Sequence, residues 1–206
     1  MAVQLLGYIL SIVGLCGLIF ATFTNEWKVS VHDNKDMVLM DFSEGLWMEC
    51  STHVSSPQFM CNSYTSILYQ SVKLQVAEAM MIISIGLAGV GVLVAVAGLK
   101  CTRCLDGDNR LKNRVALTGG SFFILSGLCA LIVTSWFIYE IMTDFYAKES
   151  NEQRYVVGRS LIAGFVAALL CLFGGMLLSI CSATRMQSSS NVIKHPTSKS
   201  PGKDYV

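Results

Sequence analysis

Cysteine and histidine carry most of the chemistry open to this chain, and their spacing decides which kind. His32, His53 and His195 lie far apart, and none has metal-ligand spacing to another His or Cys. A lone exposed His is more often a surface residue than a catalytic one. Cys101-Thr102-Arg103-Cys104 is a CxxC, but a single pair without a second is weak grounds for zinc. No phosphate loop, nucleophile elbow or HExxH run occurs. These residue types predict no active site, no metal and no cofactor. What Cys50 and Cys61 do depends on the compartment they face, which the surrounding elements must settle.

Those elements are unusual for 206 residues. Apolar residues make up 53% and charged residues 14%, against a globular norm of about 45–50% and about 25%. The charges are also unevenly spread. Met1–Asn25, Ala79–Leu99, Val115–Tyr139 and Ser160–Thr184 contain no Asp, Glu, Lys or Arg, over 25, 21, 25 and 25 residues. A helix crosses the hydrocarbon core in about 20 residues, so each window spans once. Spans are expected near 5–24, 79–99, 115–139 and 160–184, within a four-span domain of residues 1–184. A water-soluble domain, a disordered chain and a nucleic-acid-binding domain with a basic stripe are excluded.

The first window lacks the basic start of a signal peptide, and its apolar stretch outruns a region of about 7–15 residues. It reads as an uncleaved span. The loop 26–78 carries 3 basic and 7 acidic residues, and 140–159 carries 3 and 4. Residues 100–114 carry 5 and 2, and 185–206 carry 4 and 1. Basic residues near membrane ends favour the cytoplasm. Loop 100–114 and both termini are therefore expected inside, with a long loop (25–78) and a short one (140–159) outside.

Small residues punctuate the spans: Gly7, Ser11, Gly14 and Gly17; Gly86, Gly89 and Gly91; Gly119, Gly120, Ser126 and Gly127; Gly164, Gly174 and Gly175. They let helix backbones approach where lipid supplies no drive for association, which predicts a compact left-handed four-helix bundle. No ionisable side chain lies inside a span, so the usual mark of a transport path is missing.

The long outer loop shows strand-like alternation. Runs are expected over 28–32, 37–40, 45–50 and 58–61, with turns at Asp33-Asn34 and Ser55-Ser56-Pro57, forming a small extracellular antiparallel sheet. Cys50 and Cys61 are the two cysteines of this loop, and an oxidising compartment favours their pairing. Cys16, Cys129 and Cys171 lie within spans as small apolar residues. Cys101, Cys104 and Cys181 sit at inner membrane ends, where reversible palmitoylation fits.

Trp27, then 17 residues, Gly45-Leu46-Trp47, two residues, Cys50, ten residues and Cys61 resembles the W–GLW–C–C signature of the claudins, four-pass proteins of tight junctions. The resemblance extends over the whole chain, to the terminal Asp204-Tyr205-Val206. It implies that Trp27, Leu46 and Trp47 sit where the sheet meets the membrane boundary. It also implies a short helix over Ser63–Gln70, with Ile67 as a knob entering a neighbour's pocket of Phe145, Tyr146 and Val157. Such head-to-tail contacts do not close and so build rows. The sequence departs from the family at Glu78, where claudins usually carry Arg, at Phe145-Tyr146-Ala147-Lys148, where many members have Pro after Asn or Asp, at Val156, where many have Glu, and at neutral Asn62 after the second cysteine.

Ser188–Ser200 is polar and reads as disordered, within a cytoplasmic tail of 185–206. The terminal Val206 carboxylate, with Asp204 and Tyr205, suits strand addition to a PDZ scaffold. The expected partners are thus this chain itself, other claudins, PDZ scaffolds and the lipid membrane, with no nucleic acid. The implied function is non-enzymatic: a strand-forming protein at plasma-membrane tight junctions that sets paracellular permeability. Asp33, Asp36 and Asp41 are candidates to line a cation-preferring pore; the alternative is that they solvate the sheet of a barrier. The rival class is a peripheral-myelin-type adhesion or trafficking protein that shares the fold and forms no strand.

Overall fold

The computed structural model describes residues 2–34, 37–53, 56–64, 71–98, 109–147 and 154–194. In chain order the elements are α1 (Ala2–Phe23), β1 (Lys28–Asn34), β2 (Met37–Glu44), β3 (Met48–His53), β4 (Ser56–Ser63), α2 (Val72–Gly98), α3 (Asn109–Ala147), β5 (Arg154–Val157) and α4 (Arg159–Lys194). All four uncharged windows are helical, because a segment in hydrocarbon must satisfy its backbone groups internally. Each helix contains a stretch long and apolar enough to cross a membrane.

Three helices overrun their windows. At 39 residues and 1.5 Å per residue, α3 is about 58 Å long, against a core of about 30 Å. The short loop expected over 140–159 is therefore corrected: Glu140–Ala147 continues α3. α4 likewise runs on to Lys194, so the disordered tail expected from 185 is corrected over 185–194. Serine and threonine do not stop a helix already propagating from an apolar span. Residues 195–206 lie outside the described residues.

α4 packs against both α1 and α3, and α3 packs against α2, while α1 and α2 meet over a much smaller area. The small residues set the close approaches. A Cβ on Gly14 would meet Cys171 Sγ at 2.6 Å, and one on Gly174 would meet Ser11 Oγ at 2.4 Å. On the other side of α4, a Cβ on Gly175 would meet the Gly120 carbonyl at 2.8 Å. Gly86 and Gly89 differ: they face open space. Between α2 and α3, Ser84 Oγ donates to the Ser126 carbonyl at 2.8 Å, and Ser126 Oγ donates to the Ser84 carbonyl at 2.7 Å.

The strands form one antiparallel sheet in the order β4-β3-β2-β1-β5. Four strands come from the long loop as expected, but the fifth comes from the short loop and pairs with β1. One row runs Val157–Lys28–Glu44–Glu49–Asn62, and the next runs Val156–Val29–Ser43–Cys50–Cys61. β2 carries a bulge: Ser30 pairs Phe42 and Val31 pairs Met40, leaving Asp41 as the extra residue. One boundary differs from expectation: Gly45-Leu46-Trp47 precedes β3 as a turn and is not its first half. Ser63 ends β4, and residues 65–70 of the helix expected over Ser63–Gln70 lie outside the described residues.

Candidate functional site at the sheet end of the bundle

A helix ends with four backbone carbonyls that have no partner inside it, and α1 ends at the sheet. Its last turn is closed by two indoles. Trp27 Nε1 donates to the Ala21 carbonyl at 2.7 Å, and Trp47 Nε1 donates to the Thr22 carbonyl at 2.9 Å. The Thr24 amide takes the Phe20 carbonyl at 3.1 Å. Trp27 is 2% exposed and meets Phe137 of α3 edge-on, with centroids 5.4 Å apart. Trp47 stacks on Phe23 at 6.3 Å. Each tryptophan thus couples the sheet to a helix through a hydrogen bond and a ring contact.

The turn between β2 and β3 is built to bring Trp47 there. Leu46 is fully buried in the core that includes Trp27, Leu74 and Met81. Gly45 lies so close to Asn25 that a Cβ would sit 2.5 Å from its Cα. Cys50 and Cys61 are direct cross-strand partners and form a disulfide, with Cα atoms 4.1 Å apart. It staples β3 to β4.

The short loop is locked in a matching way. The Gly158 amide donates to the Trp27 carbonyl at 3.0 Å, and the Ser160 amide donates to the Glu26 carbonyl at 3.2 Å. A Cβ on Gly158 would lie 1.8 Å from the Glu26 carbonyl oxygen. Only glycine lets β5 enter α4 here. Sequence reading passed over Gly158 as a functional position; a glycine between a β-prone run and a helix start was the available signal.

Lys28 and Glu44 of the row Lys28–Glu44–Glu49 open onto a cleft shared with α2 and α3, where Lys73 forms an ion pair with Glu140. Burial pushes the Glu44 carboxyl above the usual glutamate range; Lys28 opposes this, while Glu49 and Glu140 add to it. Burial also pushes the Tyr64 phenol up, helped by Glu44, Glu49 and Glu78. The Tyr64 hydroxyl is buried with no hydrogen-bond partner among the described residues. No group of three or more His, Cys, Asp or Glu is placed to hold a metal among those residues.

The PMP-22/EMP/MP20/Claudin family description matches residues 1–178. The chain belongs to this family. Claudin-1 of Mus musculus is 38% identical over 208 residues, covering 98% of this chain and 97% of the relative. Claudin-2 of Homo sapiens is 35% identical over 192 residues, with 92% and 83% covered, and claudin-7 of Homo sapiens is 34% identical over 206, with 98% and 97% covered. Claudins are structural junction proteins and not enzymes.

Seen as a claudin, the chain puts its signature residues to mechanical use. Trp27, Gly45, Leu46, Trp47, Cys50 and Cys61 together fasten the sheet to the end of α1 and to its own outer strands. The residues expected to form a lateral pocket lie on two elements. Phe145 and Tyr146 are on the end of α3, with rings 5.8 Å apart, and Tyr146 is strongly exposed. Val157 is on β5, partly buried against the core, and β5 lies against α3. Asp33 is on β1 and Asp41 on β2, in the half of the hairpin away from Lys28 and Glu44. Ile67, Asp36, Cys101, Cys104 and the run Asp204-Tyr205-Val206 lie outside the described residues. Cys181 is half-buried on α4 as a free thiol, and Glu78 is half-buried on α2.

Proposed function

We propose that this claudin is a strand-forming protein of tight junctions that sets the permeability of the space between cells. The sheet and both of its loops face outward, and the termini are cytoplasmic. The charge asymmetry supports this orientation, with 9 basic residues in the 37 positions of loop 100–114 and tail 185–206 against 6 in the 73 positions of the other two loops. The observation that carries the reading is the locked platform. β5 joins the two outer loops into one sheet, and Trp27, Trp47 and Gly158 fix that sheet to helix ends. A platform held this firmly keeps its contact surfaces in register from subunit to subunit. Lateral assembly runs through Ile67 into the neighbour's Phe145, Tyr146 and Val157, and PDZ scaffolds take Val206. Cys101, Cys104 and Cys181 are sites for acyl chains on the cytoplasmic side.

Ion preference turns on Asp33, Asp36 and Asp41. The carboxylates nearest the bundle, Glu44 and Glu140, already face Lys28 and Lys73. Asp33 on β1 and Asp41 on β2 lie farther from the bundle, which makes them the candidates to meet a paracellular path. Expression in a claudin-deficient epithelial monolayer tests the proposal through resistance and dilution potential. Lower resistance with sodium favoured over chloride supports a cation pore, and neutralising the three aspartates then removes the preference. Higher resistance without preference supports a barrier. Delivery to cell contacts with no electrical change in either direction overturns the strand-forming role and favours the peripheral-myelin type.

A further inference from the structure

Two cavities meet at Lys73 and Phe137, between α2 and α3 at the sheet end. The first, about 120 Å³, is lined by carbon: Val72, Val76, Ala77, Val133 and Trp136 complete it. Val72 is 74% exposed, Val76 47% and Trp136 53%, so in a membrane this groove opens sideways into lipid. The second, about 110 Å³, lies on the sheet side, bounded by Trp27, Lys28, Glu44, Ser71 and Glu140. An exposed indole at the end of a span marks the depth where hydrocarbon gives way to headgroups. Trp136 stands in that position, with the apolar groove and the charged cleft meeting beside it.

We propose that this paired site binds a zwitterionic phospholipid, with one acyl chain in the α2–α3 groove and its phosphocholine headgroup in the cleft. The charges match that ligand. Lys28 and Lys73 provide two cations for the phosphate, and Glu44 and Glu140 provide two carboxylates for the quaternary ammonium. An anionic headgroup fits worse, because Glu49 and Asp144 add negative charge to a cleft that is otherwise balanced. A sterol has no charged group to exchange with the Lys73–Glu140 ion pair or with Lys28 and Glu44. The shared wall of Lys73 and Phe137 makes the two halves one amphipathic site.

The test uses the purified full-length chain in detergent, incubated with equal amounts of palmitoyl-oleoyl phosphatidylcholine, the matching phosphatidylglycerol and cholesterol. Native mass spectrometry counts what is retained. One phosphatidylcholine is expected, held about tenfold better than phosphatidylglycerol, as for loss of one charge-assisted contact. Val76→Phe, which fills the groove, and Glu44→Gln at pH 7.4 each lower that retention by about tenfold. Leu93→Phe, on another exposed part of α2, leaves it unchanged. Phosphatidylcholine carrying a photoreactive acyl chain gives a second readout on the unaltered protein, with labelling concentrated in residues 72–77 and 133–137. Equal retention of the two phospholipids, retention of cholesterol alone, or labelling spread evenly over the lipid-facing helices overturns the site.

Discussion

Gly158→Ala asks whether the short loop is locked to the long one through backbone contact. The added methyl carbon would stand 1.8 Å from the Glu26 carbonyl oxygen, 2.5 Å from its carbon and 2.9 Å from the Trp27 carbonyl carbon. All three are backbone atoms, so no rotamer change relieves the clash. β5 must move away, which breaks the Gly158-to-Trp27 and Ser160-to-Glu26 hydrogen bonds. At about 1 kcal/mol net each, these amount to about 2 kcal/mol. The Lys28–Val157 and Val29–Val156 cross-strand pairs add about 1 kcal/mol between them. A loss of about 3 kcal/mol corresponds to about 6–12 °C in unfolding midpoint for a chain of this size. Thermal unfolding of the purified protein in detergent measures it, with Gly86→Ala, which faces open space, as the control. A short thiol cross-linker across Lys28→Cys and Val157→Cys reports the pairing itself, and its yield should fall in the Gly158→Ala background. A midpoint within 1 °C of the parent together with full cross-linking would refute the backbone-lock reasoning.

Three further outcomes follow from the same geometry. Trp27→Phe or Trp47→Phe keeps a ring but orphans the Ala21 or Thr22 carbonyl, at about 1–3 kcal/mol each by thermal unfolding. The double replacement Cys50→Ser, Cys61→Ser opens the β3–β4 staple, for which chain entropy gives about 3 kcal/mol; unfolding under reducing conditions should bring the parent down to the variant. Glu44 has a raised pKa in the folded state because burial disfavours its charge. Its stability contribution is therefore full below the ordinary glutamate pKa and lost as pH rises through the raised value. Glu44→Gln should gain midpoint relative to the parent as pH goes from 4 to 8 on this scale of carboxylate titration, and a constant difference would count against it.

Much of the architecture was legible beforehand, for physical reasons that act locally. Four uncharged windows had to be helices, since hydrocarbon offers the backbone no other partner. The Cys50–Cys61 pairing followed from loop and compartment, and four strands from alternation. Helix lengths were less legible, because charge marks where a span meets water but not where the helix stops. α3 and α4 run past that boundary on polar residues with nothing to break them.

What the sequence determined by itself is the set of elements whose solvent is fixed by their own composition: the spans, the acidic loop strands and the signature residues. What the tertiary structure decided is which element meets which. β5 is four residues long and carries no periodicity that names a partner; its place beside β1 exists because the ends of α3 and α4 hold it there. The indoles of Trp27 and Trp47 read equally well as interface residues or as sheet packing. Their actual duty, capping α1, depends on carbonyls that are left unpaired only where that helix ends against the sheet. The mixed-charge cleft likewise gathers Lys28 and Glu44 from the sheet, Lys73 from α2 and Glu140 from α3. Charges scattered along a chain acquire a common ligand only when folding sets them around one space.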